Sequence, residues 1–374
     1  MSEYQYYGWQ AIDRSLTAHE LEEVDHLSSH MDEVTSTRAS VTYQWGDFKH
    51  KPDQILLKYF DVFVYDSNFG YRRVIFRIPK KLLDPQSVTP YLDDENISLE
   101  THGDFHILEL SCNEDWDLDY VDSDRMLDRL SALREQIIQG DFRALYLAWL
   151  KSVDPEDDEV EEPPVPAGLN KLDSGLRALV EFFGLDTHLV AAAAESSVQA
   201  EAMPEADPAA TIAKLSREEI ESHLVEIVRG EAGSLSALKK HLAQLSSQPA
   251  HKNSAHARSI SEIFEQRNQV EQREKLKVQK EAQRKRIQKL DSLSMRQEEA
   301  WVQVAALCQE KRAKAYDEAT QILCDLYELG QYQKQSKIFQ QRFASILDQF
   351  GKSMAFKERL RRAGLKISDS SSKE

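Results

Sequence analysis

Disulfides, membrane spans and recognisable cofactor motifs are all missing from this sequence, and each absence narrows its role. Cys112, Cys308 and Cys324 are widely spaced and odd in number, which argues against a disulfide framework. The longest aliphatic run, residues 189–194, falls far short of the roughly 18 residues that a membrane span needs. Residues 1–20 lack a basic stretch followed by an apolar one, so no secretory signal is expected. No phosphate loop, G-x-G-x-x-G, nucleophile elbow or H-E-x-x-H is present. Motif-bearing nucleotidases, dinucleotide enzymes, serine hydrolases and zinc proteases are thereby disfavoured, no cofactor is expected, and no membrane partner is expected. A catalytic site assembled only in space leaves no such trace. The expected setting is reducing and cytoplasmic.

Charge is abundant but uneven. Residues 91–162 carry 22 acidic against 5 basic side chains, a net of −17 that equals the charge of the whole chain. Residues 331–367 carry 9 basic against 2 acidic, a net of +7. Opposed blocks of this kind are mostly solvated surfaces, and they also select partners of opposite sign.

At 374 residues the chain is too long for one ordinary core. Strand signals are confined to its first part. Residues 4–12 and 41–45 are aromatic and β-branched, while residues 59–65 and 71–78 flank "DSNFG", a hairpin turn with Gly70 free to adopt positive φ. A second hairpin is expected at 97–101 and 105–110 around "HGD". Helices are expected at 17–29, 52–58, 126–139 and 142–153. The fold class is α+β: an α+β head over 1–153 with a mixed sheet and helices, followed by an all-α region.

The stretch 154–168, "DPEDDEVEEPPVPAG", reads as an acidic proline-rich linker that is extended and solvated. A short helical segment over 169–198 and a second linker over 199–213 follow. A helical hairpin over 214–248 opens on a capping box of Ser216 and Glu219. Glycine and proline are absent from 250–329, and Ser259 with Glu262 forms another capping box, so a single long helix is expected over 259–330, with "DSLS" (291–294) as the place where it could break. Return helices over 331–364 and a disordered tail over 365–374 complete the division.

Within the long helix, "EKLKVQKEAQRKRIQKL" (274–290) is polar on all sides, which fits a solvated spacer. Opposite charges at i,i+4, Glu271 with Lys275 and Glu281 with Lys285, neutralise part of its charge. Residues 272–296 still carry a net of +6, without an aromatic on which a base could stack. Further along, Ile287, Trp301, Cys308, Ala315, Ile322 and Leu329 share one heptad position, predicting a coiled-coil-like seam. Its partner is either the return helix or a second copy of the chain.

Few residues invite chemistry. "DWDLDYVDSD" (115–124) resembles the start of a calcium loop, but Tyr120 and Met126 stand where glycine and glutamate belong. His102 with His106, and His251 with His256, lack partners at zinc-site spacing, so no metal is expected. The stronger feature is aromatic density in the first 80 residues. Most of those rings belong to a sheet core, but a sheet face that receives a peptide or partner helix is the sharper reading. "YQWGDF" is the place to look first. Tyr43, Trp45, Asp47 and Phe48, with Trp301 in the heptad seam, are the partner-binding candidates.

The phrases "SEYQYYGWQAIDRSLT", "YQWGDFKHKPDQILLKYFDVFVY", "GYRRVIFRIPKKLLDP", "GDFRALYLAWL" and "PPVPAGL" carry a resemblance. Over roughly residues 1–195 the chain resembles a family of conserved bacterial proteins to which no activity is assigned. The resemblance implies a bacterial, cytoplasmic origin and no chemistry.

The favoured expectation is a non-catalytic interaction or scaffold protein, its head binding a protein partner and its C-terminal helices mediating association, including association with a second copy. The alternative is a nucleic-acid-associated protein using Lys275, Lys277, Lys280, Arg284, Lys285 and Arg286 together with Arg359, Arg361, Arg362 and Lys366. A second alternative is an enzyme with a site near residues 45–47.

Overall fold

The computed structural model describes residues 3–93, 95–113, 119–156, 160–198, 208–246 and 258–365. The chain divides into two compact units, residues 1–271 and 272–374.

The first unit is α+β. Its strands are β1 (Gln5–Gln10), β2 (Met31–Val34), β3 (Arg38–Tyr43), β4 (Val62–Ser67), β5 (Tyr71–Pro79), β6 (Ile97–His102) and β7 (Phe105–Asn113), in the order β2-β3-β1-β4-β5-β7-β6. Every pairing is antiparallel, where a mixed sheet was expected. The reason lies in the connections, which include two tight hairpins, β4–β5 and β6–β7, turning at Gly70 and Gly103 with positive φ. Strand β2 is short and polar, without the aromatic and β-branched residues that mark most of the others.

Helices cover both faces of the sheet. On one face α1 (Ala18–Asp25) and α2 (Pro52–Tyr59) pack over Trp9, Val41, Phe63 and Ile75. On the other, α4 (Ser123–Ile138) and α5 (Arg143–Ser152) pack over Val64, Val74, Phe76, Leu108 and Leu110. The short α3 (Pro85–Val88) lies before β6. A strand covered on both sides reads as a continuous apolar run, which is why β4 opens "VFVY".

Helices α6 (Ser174–Phe182) and α7 (Thr187–Glu195), expected as a segment apart, share the head's core through Leu176, Leu179, Phe182 and Leu189. The stretch 154–168 is the solvated linker expected only in part, since residues 154–156, 160 and 161 are exposed but the residues that follow tie into the head. Glu162 is 5% exposed and accepts hydrogen bonds from Tyr146 Oη and the Arg258 guanidinium, while Pro164 O accepts from Tyr91 Oη. The dense acidic run concealed one carboxylate that has its own buried partners. Of the second linker, 208–212 forms α8 (Pro208–Ile212). Helices α9 (Arg217–Val228) and α10 (Ser234–Ser246) then form a hairpin, with the Ser216–Glu219 capping box in place.

Charged side chains run through the head's interior. Arg134 of α4 is 0% exposed and grips Asp13 with two nitrogens at 3.0 and 2.8 Å, while its Nε donates to Arg77 O of β5. Asp61, just before β4, accepts from Arg77 at 2.8 Å and from the backbone amides of Ile12 and Asp13. Burial alone would push the Asp61 carboxyl up, but Arg134, Arg77 and those two amides hold it below the ordinary carboxylate value.

In the second unit the expected single helix over 259–330 is three. They are α11 (Ile260–Met295), which begins in the first unit on the Ser259–Glu262 capping box, α12 (Gln297–Glu310) and α13 (Ala313–Tyr332). The break between α12 and α13 falls at Lys311, which takes a left-handed conformation with φ +51°. Such a turn normally calls for glycine or asparagine, so a lysine there gives no signal in the sequence. After the break α12 and α13 pack on each other, and α14 (Ser336–Phe350) and α15 (Met354–Arg362) complete the core. Trp301, Val304, Cys308, Leu323, Leu326, Leu329, Phe339 and Phe356 are buried in it. Trp301, Cys308, Ile322 and Leu329 of the heptad set therefore pack in a helical bundle rather than along one continuous seam.

Trp301 is 7% exposed, with its ring 5.6 Å from that of Phe339. Trp301→Ala should cost about 3–5 kcal/mol, because the bundle cannot collapse around so large a gap. Urea unfolding checks it, and a loss below about 1 kcal/mol would contradict this packing.

Candidate partner-binding surface

The stretch "YQWGDF" connects β3 to α2, and its geometry follows from one buried side chain in the neighbouring strand. Gln5 of β1 is 4% exposed, and alternation along the strand places it on the same face as Tyr7 and Trp9. Its Oε1 accepts from Tyr7 Oη at 2.8 Å and from Tyr65 Oη at 2.7 Å. Its Nε2 donates to Asp47 Oδ1 at 2.9 Å and to Gly46 O at 3.3 Å. Burial pushes both tyrosine hydroxyls up, which keeps them protonated as donors. Gly46 turns the chain at φ +96°, a conformation that a side chain would strain. The loop is thus pinned from inside the sheet.

The sequence-predicted residues part company here. Phe48 is buried against Tyr7 and Trp9, ring centroids 5.4 and 5.6 Å away, and belongs to the core rather than to a binding face. Tyr43 is half-buried, its hydroxyl 2.9 Å from Ser28 Oγ. Asp47 is exposed and serves as the anchor for Gln5. Trp45 is open, at 71% exposure. Trp301 is buried by its own chain and cannot present its ring to a partner.

Beside this loop lies a small pocket of about 210 Å³ walled by Tyr7, Phe48, His50, Tyr65, Tyr71 and Arg73. A larger cleft of about 450 Å³ is lined by the start of α2 and by Ile75, Glu100, His102 and Glu109. Arg73 lines the pocket, bonds Asp53 at 2.9 Å and Glu109 at 3.4 Å, and stacks 5.2 Å from the Phe63 ring. Burial pushes the Glu109 carboxyl up even against that guanidinium. With Arg73 already matched by two carboxylates, the area offers aromatic contact and fixed hydrogen-bond groups. Gln5 and Arg73 were not singled out from the sequence, because their roles rest on partners 20 to 60 residues away.

The other candidates fall elsewhere. Asp122 caps α4 and Asp124 binds Arg38 and Tyr6, so two carboxylates of the calcium-like stretch have structural partners, while residues 115–118 lie outside the described residues. His102 bonds Glu100 and His106 bonds Thr101, while His251, His256 and Lys366 lie outside the described residues. Among the described residues, no group of three or more His, Cys, Asp or Glu side chains is placed to hold a metal ion. Of the basic candidates, Lys285 pairs with Glu281, Arg286 with Glu328, Arg359 with Asp317 and Arg362 with Glu358. Lys275, Lys277, Lys280, Arg284 and Arg361 are exposed.

Gln5→Leu removes the acceptor of two buried hydroxyls and the tether of the loop. It should lower stability by about 2–3 kcal/mol and speed amide hydrogen exchange at residues 45–48. Unchanged exchange there would show that the loop is held by other means.

No family model, curated protein or solved structure matches the chain.

Proposed function

We propose that this chain is a non-catalytic interaction protein whose head binds a protein partner through the Trp45 loop. The observation that carries the reading is a large aromatic ring at 71% exposure on a loop that buried Gln5 holds rigid. An indole in water is a cost that a partner removes, and tryptophan leads the residue types that dominate protein interfaces. A rigid loop also loses little entropy on binding. The aromatic pocket beside it supplies a concave neighbour for a partner side chain.

The helices of the second unit are assigned to association, with a second copy or a second partner. Met295, Val302, Tyr332 and Ile338, all exposed, support this assignment. The family resemblance supports a bacterial, cytoplasmic setting, and the chain has, among its described residues, no helix long and apolar enough to cross a membrane. Nucleic-acid association through α11 and the basic α15 is the second reading, supported by exposed Lys277, Lys280 and Arg284, but Lys285 and Arg286 of α11 and Arg359 and Arg362 of α15 are engaged by carboxylates.

A photo-crosslinking amino acid at position 45, with position 58 on exposed Lys58 as the control, tests the reading in the native host. A discrete protein adduct is expected from position 45 and not from 58. Equal labelling from both positions, or none from 45, would overturn it.

A further inference from the structure

The sheet ends in β2 on one side and in β6 on the other, and the two edges differ. An open edge offers unpaired amides and carbonyls to any extended chain, so natural edges are kept short, bulged, covered, or set with lysine or proline. Strand β2 spans four residues and shifts register between Met31 and Glu33. Strand β6, "ISLETH", has six residues in continuous register with β7 and carries neither lysine nor proline.

The main-chain groups of β6 alternate between the sheet and the outside. Asn96 O turns inward and accepts from Ser111 N, whereas Ile97 turns outward, where Asp93 bonds both its amide and its carbonyl. Leu99 and Thr101 follow Ile97 in this alternation, and among the described residues nothing pairs with their outward amides and carbonyls. Exposure rises the same way: Leu99 is half-buried, while Glu100, Thr101 and His102 are exposed. The Asp93 turn thus closes one end of the edge and leaves the other open.

Side chains alternate too. Ile97 and Leu99 turn to the core that α5 shares. Ser98, Glu100 and His102 turn the other way and line the cleft of about 450 Å³, together with Ile75, Ile107, Glu109 and the start of α2. Residues 91–113, which supply β6 and β7, carry Asp93, Asp94, Glu95, Glu100, Asp104 and Glu109 and no lysine or arginine. Arg73 already answers Asp53 and Glu109, but Glu100 has only His102, at 2.9 Å. Two copies of this edge side by side would oppose like charges, which disfavours a dimer through β6. A strand with basic residues at every second position would instead set its cations beside Glu100, their methylenes over the apolar floor of the cleft, and its intervening apolar residues beside Leu99.

We propose that the open edge of β6 binds an extended segment of a partner protein as an added strand, its basic residues alternating with apolar ones and turned into the cleft. Main-chain pairing to Leu99 and Thr101 gives the affinity, and the acidic cleft selects the sequence.

The proposal goes beyond the Trp45 loop, and its test reads β6, so its failure leaves that loop's role standing. The probe is the dye-labelled peptide acetyl-Thr-Lys-Val-Lys-Val-Lys-Thr-amide, titrated against the full chain by fluorescence anisotropy at physiological salt. One control carries glutamate in place of each lysine, and the other is N-methylated at every lysine and valine, which keeps the charge but removes strand pairing. Saturable binding of the lysine peptide is expected, with slowed hydrogen exchange at Leu99 and Thr101, and neither control should bind up to about 1 mM. Thr101→Pro removes an outward amide at an edge position where proline is tolerated, and Glu100→Lys reverses the exposed charge. Each should weaken binding roughly tenfold while keeping the parent circular dichroism. If Thr101→Pro does not fold, the N-methylated peptide makes the same test on the parent chain. Equal binding of the N-methylated peptide would show charge attraction alone and overturn the proposal. Equal binding of the glutamate peptide, or no saturable binding of the lysine peptide, would overturn it as well.

Discussion

The head depends on a full positive charge being satisfied where no water reaches it. Arg134 is wholly enclosed, and an unpaired guanidinium there would be far more costly than the packing around it could offset. It is satisfied by Asp13 after β1 and by the carbonyl of Arg77 in β5, while Asp61 before β4 binds Arg77 and two amides. Four segments must therefore meet in one register before the charges are matched. Replacing such networks by hydrocarbon often leaves stability unchanged or higher, so their contribution here is to specify one arrangement of α4 against the sheet.

The same device recurs. Arg72 of β5 bonds Asp66 at 2.6 Å and donates to the carbonyl of Phe182, tying the end of α6 to the sheet. Glu162 and Arg258 meet beside Tyr146, joining the acidic stretch to the start of α11. Each tie fixes the position of an element whose outer surface is then free for other use. The register that satisfies the charges also sets Gln5 beneath the Trp45 loop.

Much of the fold was legible locally. Aromatic and β-branched residues and the turns between them marked the long strands, and Ser216 with Glu219 marked a helix start because capping is settled within four residues. What was hidden depends on distance along the chain. Arg134 reads as one more arginine on an amphipathic helix until Asp13, 121 residues earlier, is placed beside it. Glu162 is lost in a run of acids until Arg258 arrives from 96 residues on. Lys311 breaks a helix without glycine or proline, and Trp301 and Phe48 were mistaken for contact residues because burial is a property of the folded whole. Of the candidate surface, Trp45, Asp47 and the loop that carries them were visible; the side chain that holds them was not.

A double-mutant cycle on Arg134 and Asp13 tests this account most directly. Unfolding free energies of Arg134→Met, Asp13→Leu and the double variant are compared with the parent. Each single change strands a buried charge and should cost about 3–5 kcal/mol, whereas the double change should cost well under the sum, since Asp61 keeps Arg77 and its two amides. Costs that add to within about 0.5 kcal/mol would contradict it, showing that the two residues contribute separately and that the buried pair does not organise the head.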